Sequence, residues 1–101
     1  MPEYNDGSGW AWVRVDTIVN EGETLLYGCV ILASAAGGEV QLFDGLDADS
    51  GRLISRIKGN ANESIPIIFN KPLRLDRGLF VDVIASVSGI LVCYDPVVQE
   101  R

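Results

Sequence analysis

Residues 25–32, Leu-Leu-Tyr-Gly-Cys-Val-Ile-Leu, are apolar almost throughout and lack the alternation of a strand that is exposed on one side. Their β-branched and aromatic side chains favour a strand over a helix. A strand that is apolar on both faces needs a cover on each side, and the protein's own core supplies only one. In a chain of 101 residues the second cover is often another copy of the protein, so this segment indicates assembly.

The composition supports an interface and argues against several classes of function. Hydrophobic residues make up 48% of the chain, which is high for a small monomer whose outside must stay wet. Fourteen acidic and eight basic residues give a net charge of −6, so nucleic-acid phosphate and anionic lipid are repelled on average. No apolar run approaches the roughly 18 residues of a membrane span, and the start lacks a signal-peptide pattern. We expect no nucleic acid, no membrane and no export.

Short apolar segments separated by Gly, Asn and Asp predict an all-β chain of about eight strands. Hairpins are expected at Gly37 and Gly38, between the second and third strands, and at Ser88 and Gly89, before the last strand. Pro66 has no N–H to donate to a ladder, which predicts that its strand lies at an edge or is only partly paired. The predicted strands are 10–18, 25–34, 39–43, 53–58, 64–69, 73–75, 79–86 and 90–94.

The predicted fold class is all-β, an antiparallel two-sheet sandwich of jelly-roll type, with a small β-barrel as the alternative. No amphipathic helix of useful length is indicated, because the segments alternate with period two or are uniformly apolar. One β-sandwich domain is expected over residues 10–95. A flexible N-terminal lead over 1–9 precedes it, and a C-terminal tail over 96–101 follows it.

Residues suited to catalysis are sparse. The chain has no His, and its lysines, Lys58 and Lys71, lie in no recognisable motif. Paired carboxylates arise by chance among fourteen acids, and a chain this small leaves little room for a deep sugar cleft. We therefore expect a protein that is not an enzyme, with no catalytic residues, no metal and no cofactor.

The two cysteines, Cys29 and Cys93, lie in apolar strands without CxxC spacing and without a His partner. This pattern argues against a zinc site and against a thiol nucleophile. Buried free thiols are the expectation, and a disulfide is the alternative if the two strands are neighbours.

The loop over residues 44–51 carries three carboxylates, on Asp44, Asp47 and Asp49. A solvated acidic loop is the expectation, and a calcium site with hard oxygen ligands is the alternative. A calcium loop of EF-hand type that starts at Asp47 would require Glu where Lys58 stands.

Trp10 and Trp12 share one face of the first predicted strand, while Ala11 and Val13 share the other. Two tryptophans are hard to house in one small core together with a strand that is apolar on both faces. They therefore form either an interface hot spot or a cap on the sandwich. The candidate interface residues are Trp10, Trp12, Leu25, Tyr27, Cys29 and Ile31.

Several short elements follow one another over residues 10–95. They are Leu26-Tyr27-Gly28, Val40-Gln41-Leu42-Phe43-Asp44-Gly45, Gly51, Ile65-Pro66-Ile67, Gly78-Leu79-Phe80-Val81-Asp82-Val83 and Tyr94-Asp95. This succession resembles small β-sandwich virion proteins of tailed bacteriophages. The resemblance implies a capsid decoration (cement) protein that is trimeric and binds the lattice of the major capsid protein. It also implies a location on the outside of the virion capsid after assembly in the host cytoplasm.

The alternative function is a receptor- or carbohydrate-binding knob of a phage tail or fibre, because exposed aromatic rings on a β-sandwich can stack on sugars. In such a knob Trp10 and Trp12 would face solvent in the assembled oligomer. In a cement protein the tryptophans, or the strand over 25–34, would be buried against neighbouring subunits. Attachment would then arise from many weak contacts acting together.

Overall fold

The computed structural model describes residues 9–34, 37–85 and 87–97. The predicted lead lies outside these ranges apart from Gly9, and so does the predicted tail apart from Pro96 and Val97. The described residues form eight strands and no helix. The strands are β1 (Trp10–Val13), β2 (Thr17–Glu21), β3 (Thr24–Ala33), β4 (Gly38–Asp44), β5 (Arg52–Gly59), β6 (Ser64–Leu75), β7 (Gly78–Ala85) and β8 (Val87–Pro96).

The strands form two antiparallel sheets of four. Sheet A has the order β1-β8-β3-β6, and sheet B has the order β2-β7-β4-β5. Among the eight strands only β4 and β5 are neighbours both in sequence and in a sheet, so the other connections pass from one sheet to the other. This is the strand order of a jelly roll. The predicted two-sheet sandwich is confirmed, and the barrel alternative is wrong.

The core fills the space between the two sheets, where each sheet buries its inner face against the other. Two buried threonines satisfy their hydroxyls locally: Thr17 donates to the carbonyl of Val15 at 2.7 Å and Thr24 to that of Gly22 at 3.0 Å. The largest fully buried apolar side chains are Leu26, Ile31, Leu42, Leu79, Ile90, Val13, Val40, Val81 and Val92.

The segment predicted as one strand over 10–18 is two strands in different sheets. β1 ends at Val13, β2 begins at Thr17, and the chain crosses between the sheets over residues 14–16, which are exposed. Asp16 stabilises this crossing, because its Oδ1 accepts the backbone N–H of Val83 at 2.7 Å. The prediction was wrong because Val15 continues the apolar alternation through residues that pair with neither sheet.

Both predicted hairpins are wrong. β3 and β4 lie in different sheets, and Gly37, with φ of 89°, turns the chain around the end of the sandwich. β7 and β8 also lie in different sheets, and Ser88 and Gly89 belong to β8 itself. Turn residues specify a local reversal but not the sheet that the next strand joins. Ser86, the last residue of the predicted strand over 79–86, lies outside the described residues.

β6 is an edge strand of sheet A, which confirms the expectation from Pro66. The separate strands predicted over 64–69 and 73–75 are a single strand with an irregularity. Leu26 pairs with Leu73 and Gly28 pairs with Ile68, so residues 69–72 of β6 lie opposite only one residue of β3. The Asn-Lys-Pro break in the sequence interrupts the ladder without ending the strand.

A bulge in β3 reverses which residues face the core. The register of β3 shifts between Leu26 and Gly28 against both of its neighbours. Before the shift the even-numbered residues face inward, and after it the odd-numbered residues do, because one extra residue moves a period-two pattern by one position. Cys29 and Ile31 are consequently core residues, 2% and 0% exposed. Their prediction as interface residues is therefore wrong.

Truncating Ile31 and Ile68 to Ala tests which side of sheet A each of these side chains faces. Ile31→Ala is expected to lower the free energy of unfolding by about 2–5 kcal/mol, because it leaves a cavity in the core. Ile68→Ala is the matched control, since this isoleucine on the neighbouring strand is 82% exposed and should cost under about 1 kcal/mol. Urea denaturation measures both. Equal losses would contradict the inward orientation that the bulge imposes on Ile31.

Candidate interface on the outer face of sheet A

The outer face of sheet A is apolar across all four strands. One cross-strand row runs, from β1 to β6, through Trp12, Leu91, Val30 and Pro66. The adjacent row runs through Trp10, Cys93, Gly28 and Ile68. We call this surface the apolar face. Its side chains are those of Trp10, Trp12, Leu25, Tyr27, Val30, Leu32, Pro66, Ile68, Leu91 and Cys93.

Polar groups meet at one end of the apolar face. The Tyr27 hydroxyl donates to Asp95 Oδ2 at 2.9 Å, and this hydrogen bond to a carboxylate raises the pKa of the tyrosine. At the same end Arg74 donates from Nη2 to Glu23 Oε2 at 2.7 Å. The two rows above carry no charged side chain. An uncharged centre with a polar margin is the arrangement found in protein interfaces.

Two glycines on the apolar face determine how the neighbouring side chains Trp12 and Ile68 lie on the sheet. Trp12 lies on Gly89, where a β-carbon would overlap Cζ2 and Cη2 of the indole ring. Gly28 lies beside Ile68 in the ladder, and a β-carbon there would overlap the carbonyl oxygen of Ile67. Because Gly28 has no side chain to cover its neighbour, Ile68 projects from the sheet and is 82% exposed.

Four of the six residues predicted for the interface lie together on this face: Trp10, Trp12, Leu25 and Tyr27. Cys29 and Ile31 do not, for the reason given above. The sequence prediction missed Leu91 and Cys93, although the uniformly apolar run Ile90-Leu91-Val92-Cys93 carries the signal that singled out β3. It also missed Ile68, although the alternation that places Ile65, Ile67 and Phe69 inward puts Ile68 on the opposite side of β6.

The two cysteines are free thiols. Cys29 faces the core, where burial and the neighbouring Cys93 raise the pKa of its thiol to about 11. Cys93 is partly exposed on the apolar face, opposite Gly28 in the ladder. The strands are neighbours, but the side chains leave opposite faces of the sheet, so the disulfide alternative is not formed.

The carboxylates of the 44–51 loop hold the backbone of this corner. Asp44 accepts the backbone N–H groups of Asp76 at 3.2 Å and Arg77 at 2.9 Å. Asp47 accepts the backbone N–H and the hydroxyl of Ser50, and these bonds lower the pKa of Asp47. Within the described ranges no three metal-ligating side chains form a group that could hold an ion.

An open polar crevice of about 360 Å³ lies at the same corner. Its charged lining is mixed, with two carboxylates and two guanidinium groups, and Arg77 donates to the carbonyl of Ser50 at 3.2 Å. The crevice therefore presents no net charge to a ligand. Its lining residues are Asp44, Ser50, Gly51, Arg52, Asp76 and Arg77.

Comparison of the chain with protein families, characterised proteins and solved structures finds no match. None of the described residues forms a helix that could cross a membrane.

A pair of carboxylates occupies the outer face of sheet B. Asp16 in the crossing between β1 and β2 lies against β7, where its Oδ1 accepts the backbone N–H of Val83, the residue after Asp82. Partial burial and the nearby negative charge of Asp16 raise the pKa of Asp82. In the part of the chain that the structure describes, neither carboxylate belongs to a salt bridge.

Gly89→Ala is expected to displace Trp12 from the sheet, because the new methyl group would occupy the position of the indole ring. Overpacking of this kind costs roughly 1–3 kcal/mol. Fluorescence reports the displacement in a Trp10→Phe background, where Trp12 is the one remaining tryptophan. Ser88→Ala is the control at the exposed neighbouring position. An unchanged Trp12 emission spectrum would refute the contact.

Asp82→Asn is expected to stabilise the protein at neutral pH. The raised pKa means that the folded protein binds this proton more tightly than the unfolded chain does. The favourable contribution of Asp82 is therefore complete below its ordinary value of 3.8 and disappears as pH rises through the raised pKa. Urea denaturation should show a gain for the variant at pH 7 and none at about pH 3. Asp49→Asn is the control, and a gain independent of pH would contradict the carboxylate pair.

Proposed function

We propose that the chain is a structural assembly protein that packs through its apolar face and serves as a homotrimeric decoration protein on a phage capsid shell. The apolar face carries this proposal. It spans all four strands of sheet A, has no charge in its central rows, and leaves Ile68 82% exposed in the single chain. A contiguous apolar patch on a small protein marks an interaction surface.

The edge strands of both sheets discourage pairing with a strand from another chain. Contact through a sheet face is therefore favoured. The edges of sheet A are β1, which has four residues, and β6, which contains Pro66 and Pro72. The edges of sheet B are β2, which has five residues, and β5, which carries Arg52, Arg56 and Lys58. Short strands, prolines and basic side chains each discourage pairing with another chain's edge.

The size of the apolar face suits a multivalent assembly. Four strands spaced about 4.8 Å apart and about seven residues long cover roughly 500 Å². A stable pairwise interface buries about 800 Å² on each partner. A single contact through this face would therefore be weak, and firm attachment would require several contacts at once. A trimer that repeats over a lattice provides them.

The assignment to a capsid rests on the sequence resemblance. The jelly-roll strand order is compatible with it, since this fold occurs in viral capsid domains and also in lectins. A fold alone does not specify a function. The apolar face therefore supports assembly, and the resemblance supplies the capsid shell as the partner.

The arrangement of Trp12 favours carbohydrate binding as a second candidate. Its indole ring lies against Gly89 and is only partly buried, and a partly exposed aromatic ring on a sheet can stack on a sugar ring. Sugar sites also need hydrogen-bonding groups beside the ring. The cross-strand neighbour of Trp12 is Leu91, and the row that contains both is apolar. Assembly therefore remains the preferred function.

The mass of the chain in solution, measured by light scattering during size exclusion, tests the assembly. The expected mass is three times 10.9 kDa. Ile68→Ser should weaken the trimer about tenfold or more, because it places a hydroxyl in the contact. Ile84→Ser is the matched control, since Ile84 is 50% exposed on the opposite sheet. A monomeric wild-type chain, or equal weakening by both variants, would refute packing through the apolar face.

Cysteine alkylation tests the same contact in an independent way. Cys93 lies on the apolar face, so its alkylation rate should fall as rising protein concentration forms the trimer. Cys29 is the internal control, because its buried thiol with a pKa of about 11 should stay unreactive throughout. A sugar-binding knob with an uncovered face would instead leave Cys93 reactive at every concentration. Mass spectrometry of the alkylated peptides distinguishes the two thiols.

Co-sedimentation with capsid shells that lack their decoration protein tests the lattice contact. The wild-type chain should pellet with the shells and Ile68→Ser should not. A trimer that fails to pellet would retain the assembly function and remove the decoration role.

A further inference from the structure

An apolar row crosses the outer face of sheet B. The ladder aligns, from β2 to β5, Ile18, Phe80, Phe43 and Leu53. The rings of Phe43 and Phe80 pack with centroids 6.3 Å apart, and Phe43 is 7% exposed although it lies outside the core between the sheets. Leu53 at the end of the row is 48% exposed, which leaves apolar surface open to a partner.

The carboxylate pair of Asp16 and Asp82 lies directly beside this row. On β7, Asp82 is flanked on the same face by Phe80 and by Ile84, which is 50% exposed. The pair thus combines two acidic groups with apolar neighbours on either side.

Arg56, on the outer face of sheet B, is engaged with other partners. Gln41, which pairs with Asp82 in the ladder, directs its amide oxygen to Arg56 at 2.8 Å from Nη2 and 2.9 Å from Nε. Arg56 also lies 3.6 Å from Glu39. Among the described residues no salt bridge reaches Asp16 or Asp82.

We infer that the outer face of sheet B is a second docking surface, which takes a protein segment presenting a lysine or arginine between apolar side chains. The cation would lie between Asp16 and Asp82, and the apolar side chains would cover Phe80 on one side and Ile84 on the other. A basic partner also complements the net charge of −6. This inference goes beyond the proposed function, which concerns sheet A, and does not depend on it.

A peptide titration followed by amide NMR of the ¹⁵N-labelled chain tests the inference. The probe is acetyl-Val-Leu-Arg-Leu-Val-amide, and the same peptide with Glu in place of Arg is its control. The Arg peptide should shift the amide signals of residues 80–84, and the Glu peptide should bind about tenfold more weakly or not at all.

Paired charge variants distinguish a local contact from a net-charge effect. Asp16→Asn/Asp82→Asn retains the shapes of the side chains and one acceptor oxygen on each, removes both charges, and should lower the affinity for the Arg peptide about fivefold. Glu21→Gln/Asp49→Asn removes the same two charges elsewhere on the surface and should leave affinity within about twofold. Equal weakening by both double variants would overturn the inference. So would the absence of shifts up to about 10 mM peptide, or shifts confined to the apolar face.

Ile68→Ser separates this inference from the proposed function. Binding of the Arg peptide at residues 80–84 should be the same in this variant and in the wild type, whether or not either forms a trimer. A loss of peptide binding in Ile68→Ser would place the contact on sheet A and overturn the assignment to sheet B.

Discussion

The structure depends on β3 supplying apolar residues to both sides of sheet A. This strand lies between β8 and β6 and pairs with both. Leu26 and Ile31 fill the core from it, while Val30 and Leu32 face outward. The bulge between Leu26 and Gly28 decides which of these roles each residue takes, since it moves the alternation by one position. The core and the apolar face are therefore set by the same irregularity.

The two outer faces of the sandwich differ in chemistry. Sheet A presents uncharged rows that extend from the tryptophans of β1 to Ile68 on β6, with polar groups at one end. Sheet B presents an apolar row beside the carboxylate pair of Asp16 and Asp82. The two faces therefore offer different chemistry to any neighbour, while the short, proline-containing or basic edge strands discourage contact through the sheet edges.

Most strand positions were predictable because β-branched runs and Gly or Asx breaks act locally, but the first predicted strand is two strands, β1 and β2, and two predicted strands form the single strand β6. The pairing of strands was not, because it depends on contacts distant in sequence. Gly37 turns the chain as expected, yet the strands on its two sides join different sheets. Val15 extends an apolar pattern across a sheet crossing, and the bulge after Leu26 reverses the side that Cys29 and Ile31 face. Leu25 and Tyr27 face outward because the alternation reverses only after Tyr27, and Trp10 and Trp12 lie on β1, outside the bulged strand.

The sequence by itself determined that this chain is all-β, that Pro66 lies on an edge strand, and that apolar residues exceed what one small core can hold. These properties follow from backbone chemistry, alternation and composition. The tertiary structure alone decided that the excess lies on the outside of sheet A, that Trp12 rests on Gly89, and that Asp16 meets Asp82. These features bring together residues that are far apart in the chain. Strand pairing and register place them side by side, and no local sequence pattern specifies that.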